Sequence, residues 1–147
     1  MNLYEPFQFL TERQCDQLIE YAGQQEIKNA TTLGPSAVRN NRVVWYKDSS
    51  HWTEWIKMFN TIEPVIDWIQ DPQIAFYKPG EEYKWHTDKW PSNRTHIRHF
   101  TLTCELQSAT NGGIELENKS IPSLKKGQAI IFRPIDSVLV LPYGQWH

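Results

Sequence analysis

The second half of the chain is divided by frequent turn signals into short segments of strand character, and this pattern constrains the fold most strongly. From Gln73 onward, turn signals such as Pro79-Gly80 and Asn111-Gly112-Gly113 separate residues with strand-like patterning. The predicted strands cover residues 74–78, 83–88, 99–107, 113–118, 128–133 and 137–141. Strands of this length and spacing are typical of an antiparallel sandwich or barrel.

The first half of the chain predicts helices that support this sheet. Thr11 and Gln14 form a capping-box pattern, and an apolar stripe then predicts a helix to about Gln24. A strand is predicted over Arg42–Tyr46, and a Trp-rich helix begins near Ser50 and breaks or kinks at Pro64. Its stripe, which we interpret as core, contains Trp52, Trp55, Ile56, Phe59 and Ile62. We predict one α+β domain spanning residues 1–147, because helices over about 11–70 are followed by strands over about 73–142.

Composition narrows the classes of function. The net charge is −2 with both signs interspersed, so we expect neither nucleic acid nor membrane as a partner. The N-terminal residues lack the basic start and apolar run of a signal peptide, and we expect a cytoplasmic protein. Cys15 and Cys104 lie in apolar patterns and are predicted to be buried thiols rather than a disulfide. The oligomeric state stays open.

A His-x-Asp pair, His86 and Asp88, ends the second predicted strand. Residues i and i+2 of a strand point to the same face, so the imidazole and the carboxylate should project together. They would supply two of the three ligands of a 2-His-1-carboxylate iron site. With five His in 147 residues, such a pair arises by chance in about one chain in five, so its context must decide.

The third predicted strand also carries polar residues that could bind a ligand. Its alternation places Thr101, Thr103 and Glu105 on one face and apolar residues on the other. A polar face inside a barrel indicates a ligand, whereas the same face on an edge strand would meet solvent. Tyr77, nine residues before His86 on the preceding strand, is placed to reach the same pocket.

Taken in order, these residues resemble the prolyl 4-hydroxylase-like branch of the Fe(II)/2-oxoglutarate-dependent dioxygenases. The resemblance covers most of the chain and is carried by Arg39–Tyr46, Tyr77, Gly80, Tyr83, His86-x-Asp88, Arg98-x-x-Thr101, Gly112-Gly113-x-Glu115-Leu116 and Gly127-x-Ala129-x-x-Phe132. It implies a double-stranded β-helix, or jelly roll, buttressed by the N-terminal helices. It also implies Fe(II), the co-substrate 2-oxoglutarate, O2 and ascorbate.

The resemblance assigns roles to individual residues. His86 and Asp88 would be both catalytic residues and metal ligands, and Tyr77 would hydrogen-bond the co-substrate carboxylate. Thr101 and Thr103, on the predicted polar face, complete the expected co-substrate site.

The chain departs from the family pattern in its C-terminal part. The family's distal His ligand is expected about six residues after Phe132, where this sequence has Val138. The family's basic co-substrate ligand is expected near position 148, and we expect a shortened or altered last strand. The third ligand is left open between His147, another group and none. His51, His96 and His99 are interpreted as surface or structural residues.

Two functions follow from these observations. The first is an oxygenase that hydroxylates a C–H bond, with a prolyl residue in a peptide or protein as the expected substrate. The polar loops 29–42 and 89–97 are candidate substrate lids, with Arg39 and Trp90 as candidate contacts. The second is a jelly-roll binding module in which His86 and Asp88 form an incomplete iron site.

Overall fold

The structure of the chain is a computed structural model. This structure describes residues 2–25, 28–29, 42–47, 50–63, 66, 68–77, 83–88, 98–107, 113–117, 119–134, 136 and 138–141. The elements are β1 (Phe7–Gln8), α1 (Glu12–Gly23), β2 (Lys28–Asn29), β3 (Arg42–Trp45), α2 (Trp52–Asn60), β4 (Gln73–Phe76), β5 (Tyr83–His86), β6 (Thr101–Cys104), β7 (Gly113–Leu116), β8 (Gln128–Phe132) and β9 (Val138–Leu141).

Helix α1 forms as its sequence predicts. The Thr11 hydroxyl accepts a hydrogen bond from the Gln14 amide at 3.1 Å, and the Gln14 side chain accepts one from the Thr11 amide at 2.9 Å. This reciprocal capping box satisfies two amides at the helix start. The apolar stripe buries Cys15 and Ala22 completely, so the helix is held by its packed face.

Helix α2 is shorter and less buried than predicted. It ends at Asn60, and the Asn60 side chain then bonds both the amide and the carbonyl of Ile66, at 2.8 and 2.9 Å. These bonds tie the end of α2 to Ile66. No residue of α2 is fully buried, so the Trp-rich stripe is only a partial core face. His51, predicted at the surface, is 45% exposed and stacks on Trp55.

The described strands form three antiparallel sheets, in the orders β1-β8-β6, β2-β3-β4 and β5-β9-β7. All six strands predicted after Gln73 are present, each shorter than predicted or shifted by about one residue. The two helices and the antiparallel sheets of the described residues make an α+β fold, as the sequence indicates. The predicted division into helical support and strands near residue 70 stays a prediction.

Two apolar clusters of buried residues form the core. The first lies against α1 and contains Cys15, Ala22, Val44, Ile74, Phe76 and Leu106, with Cys104 packed on it. The second contains Leu116, Leu124, Ile130 and Phe132. Strand β8 contributes Ile130 and Phe132 to the second cluster, and β6 contributes Cys104 to the first.

The polar face predicted on β6 is sheltered from solvent, partly at Thr101 and Thr103 and fully at Glu105. Thr101 and Thr103 pair with Phe132 and Ile130 of β8, which both belong to the second cluster. Residues directly opposite one another in a ladder share a face. Glu105 continues this alternation and is only 2% exposed. Strand β6 is the terminal strand of its sheet in the described part of the chain, and its polar face is at least partly buried there.

Within the described residues, no helix is long and apolar enough to cross a membrane. Both cysteines are free thiols, as predicted; Cys15 is buried and Cys104 is partly buried.

Candidate functional site

The two residues of the His-x-Asp pair meet at the end of β5. His86 Nε2 lies 3.2 Å from Asp88 Oδ1, and the side chains are only 13% and 15% exposed. Strand β5 ends at His86, and Asp88 follows two residues later, beyond the strand, yet the imidazole and the carboxylate still lie side by side. The arrangement is a sheltered pair of one nitrogen and one oxygen donor.

The His86 ring is oriented by its own strand. Its Nδ1 lies 2.6 Å from the carbonyl oxygen of Lys84. A carbonyl can only accept a hydrogen bond, so Nδ1 carries the proton and Nε2 is the nitrogen that faces Asp88. Histidines that bind metals usually donate their second ring N–H to a carbonyl or a carboxylate in this way. With its Nδ1–H on the carbonyl, the ring presents Nε2 as the nitrogen that could bind a metal.

The main chain of Asp88 is fixed from two sides. Its amide donates to the Pro134 carbonyl at 2.9 Å. Its own carbonyl accepts from Arg98 Nη1 at 2.7 Å, while Arg98 Nη2 donates to Gln70 Oε1 at 2.8 Å. Two segments thus contact the main chain of Asp88, at Pro134 and at Arg98, and a third, at Gln70, contacts Arg98.

His86 and Asp88 fit two positions of a metal centre. Two ligands bound at about 2.1 Å and at right angles lie about 3 Å apart, close to the 3.2 Å separation of Nε2 and Oδ1. Among the described residues, however, no three His, Cys, Asp or Glu side chains form a group that could hold a metal ion. The described part of the chain supplies two ligands of the expected three.

The position predicted for the missing ligand lies beside His86. In the ladder between β5 and β9, Val138 is the Cα partner of His86, and Leu116 of β7 flanks Val138 on the other side. Strand pairing thus places position 138 next to the pair, and valine has no side-chain atom that binds a metal. The register of β5 shifts between Tyr83 and His86, as at the bulges that often re-aim side chains near active sites.

The residues predicted to hold the co-substrate are all at least partly buried. Tyr77 directly follows β4 and is 3% exposed, and alternation places it on the face opposite to Phe76 of the first cluster. Thr101 Oγ1 is buried and has no hydrogen-bond partner among the residues that the structure describes. A buried hydroxyl without a partner is uncommon and is what a site lacking its ligand would show. The roles of Tyr77, Thr101 and Thr103 stay predictions.

Several predicted residues lie outside the described part of the chain: Arg39, Gly80, Trp90, His96 and His147, together with nearly all of the loops 29–42 and 89–97. His99, interpreted as a surface or structural residue, is described and partly buried.

The sequence alone did not reveal how Gln70 and Arg98 act on Asp88. Arg98 stood out only through the family resemblance, and nothing local links residues 70, 88 and 98. Gln70 also lines an open cavity of about 470 Å³ with five further residues, Trp45, Lys47, Trp52, Trp68 and Asp71. A residue that lines this cavity, Gln70, is therefore linked through Arg98 to the main chain of Asp88.

Comparison with known proteins identifies the fold. No protein-family model matches the sequence, and no curated protein is detectably similar to it. The chain is similar to a viral collagen prolyl hydroxylase from Paramecium Bursaria Chlorella virus-1, solved with 2OG, at 22% identity over 99% of this chain and 95% of that one (TM-score 0.68). It is similar to a Pseudomonas putida prolyl-4-hydroxylase at 15% identity over 96% and 85% (TM-score 0.69). The chain thus has the overall fold of these prolyl hydroxylases.

Proposed function

We propose that the chain is a 2-oxoglutarate-dependent hydroxylase of the prolyl 4-hydroxylase type, built on a double-stranded β-helix. The observation that carries this proposal is the sheltered His86–Asp88 pair, 3.2 Å apart, within a fold shared with prolyl hydroxylases. The solved viral relative is a 2OG complex, which favours 2-oxoglutarate as the co-substrate here. A prolyl residue in a peptide or protein is the proposed substrate.

His86 and Asp88 would hold Fe(II) through Nε2 and one carboxylate oxygen. When bound, Fe(II) with 2-oxoglutarate and O2 supplies the oxidising chemistry that converts a C–H bond to C–OH and releases succinate and CO2. The Lys84 carbonyl keeps the His86 proton on Nδ1, so Nε2 stays directed at the carboxylate. The low exposure of both side chains limits competition from water.

The co-substrate would be held by groups that the fold already buries. The Tyr77 phenol would donate a hydrogen bond to a carboxylate of 2-oxoglutarate. The Thr101 hydroxyl would gain the partner that it lacks among the described residues, and Thr103 shares its face. Burial strengthens such hydrogen bonds because the groups do not compete with bulk water.

Metal and co-substrate binding test the proposal directly. Calorimetry with Mn(II), a redox-inert stand-in for Fe(II), should show binding that tightens when 2-oxoglutarate is present. His86→Ala should weaken Mn(II) binding by at least tenfold, because one of two described ligands is lost. The matched control is His51→Ala, which removes a half-exposed imidazole directly before α2 and should leave Mn(II) affinity unchanged.

Turnover is the second readout. With Fe(II), ascorbate and proline-containing peptides, succinate release should depend on His86 and Asp88. Absence of Mn(II) binding together with absence of succinate release would contradict the proposal. Equal Mn(II) affinity in the native protein and His86→Ala would contradict the site.

One observation favours a second function, a binding module with an incomplete iron site. Val138 occupies the register position beside His86, and the described residues supply no third ligand. A module of this kind would bind a proline-containing peptide equally well with and without a divalent metal. The enzyme proposal requires instead that metal and co-substrate affinities are coupled.

A further inference from the structure

Asp88 lies beyond the end of its strand, so the strand ladder does not fix its conformation. Strand β5 ends at His86, two residues earlier. The described contacts that hold the main chain at Asp88 come from elsewhere: the Pro134 carbonyl, directly beyond β8, and the Arg98 side chain, shortly before β6. The direction of the Asp88 carboxylate therefore depends on these contacts.

Arg98 is suited to this task by its chemistry. A guanidinium presents several N–H donors in a rigid plane and stays charged at all ordinary pH values. Nη1 donates to the Asp88 carbonyl at 2.7 Å and Nη2 donates to Gln70 Oε1 at 2.8 Å. The second bond fixes the plane of the guanidinium, so the first bond has a defined direction. Charge-assisted bonds of this length are among the stronger ones in proteins.

We propose that Arg98 is a positioning residue, which directs the Asp88 carboxylate towards His86 through the Asp88 main chain, and that Gln70 orients Arg98 for this task. The consequence for metal binding rests on the proposed function, whereas the consequence for the conformation at Asp88 does not. The predicted order of importance is Arg98 before Gln70, because only Arg98 contacts Asp88 directly.

The test compares Arg98→Gln, Arg98→Lys and Gln70→Ala with a matched control, Lys126→Gln. Lys126 Nζ donates to Asp16 Oδ1 at 2.5 Å, so the control also removes one positive charge and one bond between distant segments. The first readout is hydrogen exchange at the Asp88 amide, measured by NMR without metal. The second is the Mn(II) dissociation constant from calorimetry.

In Arg98→Gln, exchange at the Asp88 amide should be faster by roughly tenfold, while the amides of the β6–β8 ladder are unchanged. Mn(II) affinity should fall by about 10- to 100-fold, as is typical when a group that orients a metal ligand is lost. Arg98→Lys keeps the charge but not both bonds, and it should fall between the native protein and Arg98→Gln. Gln70→Ala should change each readout a few-fold, and Lys126→Gln neither.

Each outcome decides one proposal. Unchanged Asp88 exchange in both Arg98 variants would overturn the positioning role. Faster exchange with unchanged Mn(II) affinity would show that the conformation at Asp88 does not matter for the carboxylate as a ligand, which also overturns it. Faster exchange in a protein whose native form binds no Mn(II) would support the positioning of Asp88 and refute the proposed function. If Arg98→Gln does not fold, Arg98→Lys and Gln70→Ala give the same two readouts.

Discussion

Strands β8 and β5 both belong to three-stranded antiparallel sheets, yet different forces fix them. In β8 the last four residues are at most 1% exposed, and the ladder with β6 runs without interruption. In β5 Trp85 is 47% exposed, and the pairing with β9 shifts register before His86. Burial of apolar surface holds β8, whereas β5 and the adjacent Asp88 depend on individual hydrogen bonds.

This difference shows how support and chemistry are divided in the chain. A strand with apolar residues on both faces is stabilised by many packing contacts, so no single side-chain contact is essential for it. A metal-binding pair requires one geometry, and each hydrogen bond around it has a separate effect. Changes in β8 should therefore alter stability, and changes around β5 should alter binding.

The largest expected effect is on stability, from Ile130→Ala in β8. Ile130 is 0% exposed in the second cluster, so truncation should lower the free energy of unfolding by about 2–5 kcal/mol. Urea denaturation measures the change. Trp85→Ala, on the exposed part of β5, should cost much less. An equal loss in the two variants would remove the distinction between the strands.

Next comes a gain of affinity from Val138→His. Because Val138 is paired with His86, an imidazole at this position should raise Mn(II) affinity by tenfold or more, measured by calorimetry. Val138→Ala is the control for loss of the valine. The gain should disappear when His86→Ala is added, and its persistence there would place the new ligand outside the proposed site.

The free energy of unfolding should depend on pH through a thiol in the core, that of Cys104. Burial, with smaller contributions from Cys15 and Glu105, raises the pKa of the Cys104 thiol above its ordinary value. In the unfolded chain the Cys104 thiol has a pKa of about 8.5 and loses its proton above this pH. In the native protein the thiol keeps its proton over the same range. Because the native state then binds more protons, stability should fall above about pH 8.5, by at most about 1.4 kcal/mol per pH unit.

Urea denaturation at pH 7.5, 8.5 and 9.5 measures this dependence. Cys104→Ser lacks the titrating thiol and should show a smaller fall in the free energy of unfolding over the same range. Identical slopes for the two proteins would exclude Cys104 as the origin.

The smallest expected effect belongs to Thr101→Val. The Thr101 hydroxyl is buried without a partner among the described residues, so its removal should stabilise the protein without ligand by about 1 kcal/mol. The same change should weaken 2-oxoglutarate binding to the Mn(II)-loaded protein by about fivefold. Thr53→Val, on the exposed side of α2, is the control. Lower stability with unchanged 2-oxoglutarate affinity would contradict the assignment.

The sequence predicted the elements whose signals are local. The capping box at Thr11 and Gln14, the stripe of α1 and the alternation of β6 all repeat at the period of their own element, and all appear in the structure. The length of α2 was overestimated because its end depends on a side chain, Asn60, that bonds the chain six residues later. Such bonds leave no periodic signal.

For the site, the sequence by itself predicted that His86 and Asp88 share a side of the chain, because residues two apart in an extended strand point the same way. The two side chains do meet, although Asp88 lies beyond the end of β5. The sequence also pointed to the family resemblance, and to Val138 as the residue in place of a ligand. Only the tertiary structure decided that position 138 pairs with His86, that the Thr101 hydroxyl is buried, and that Arg98 links Gln70 to Asp88. Spacing fixes geometry within an element, whereas contacts between elements depend on how the whole chain packs.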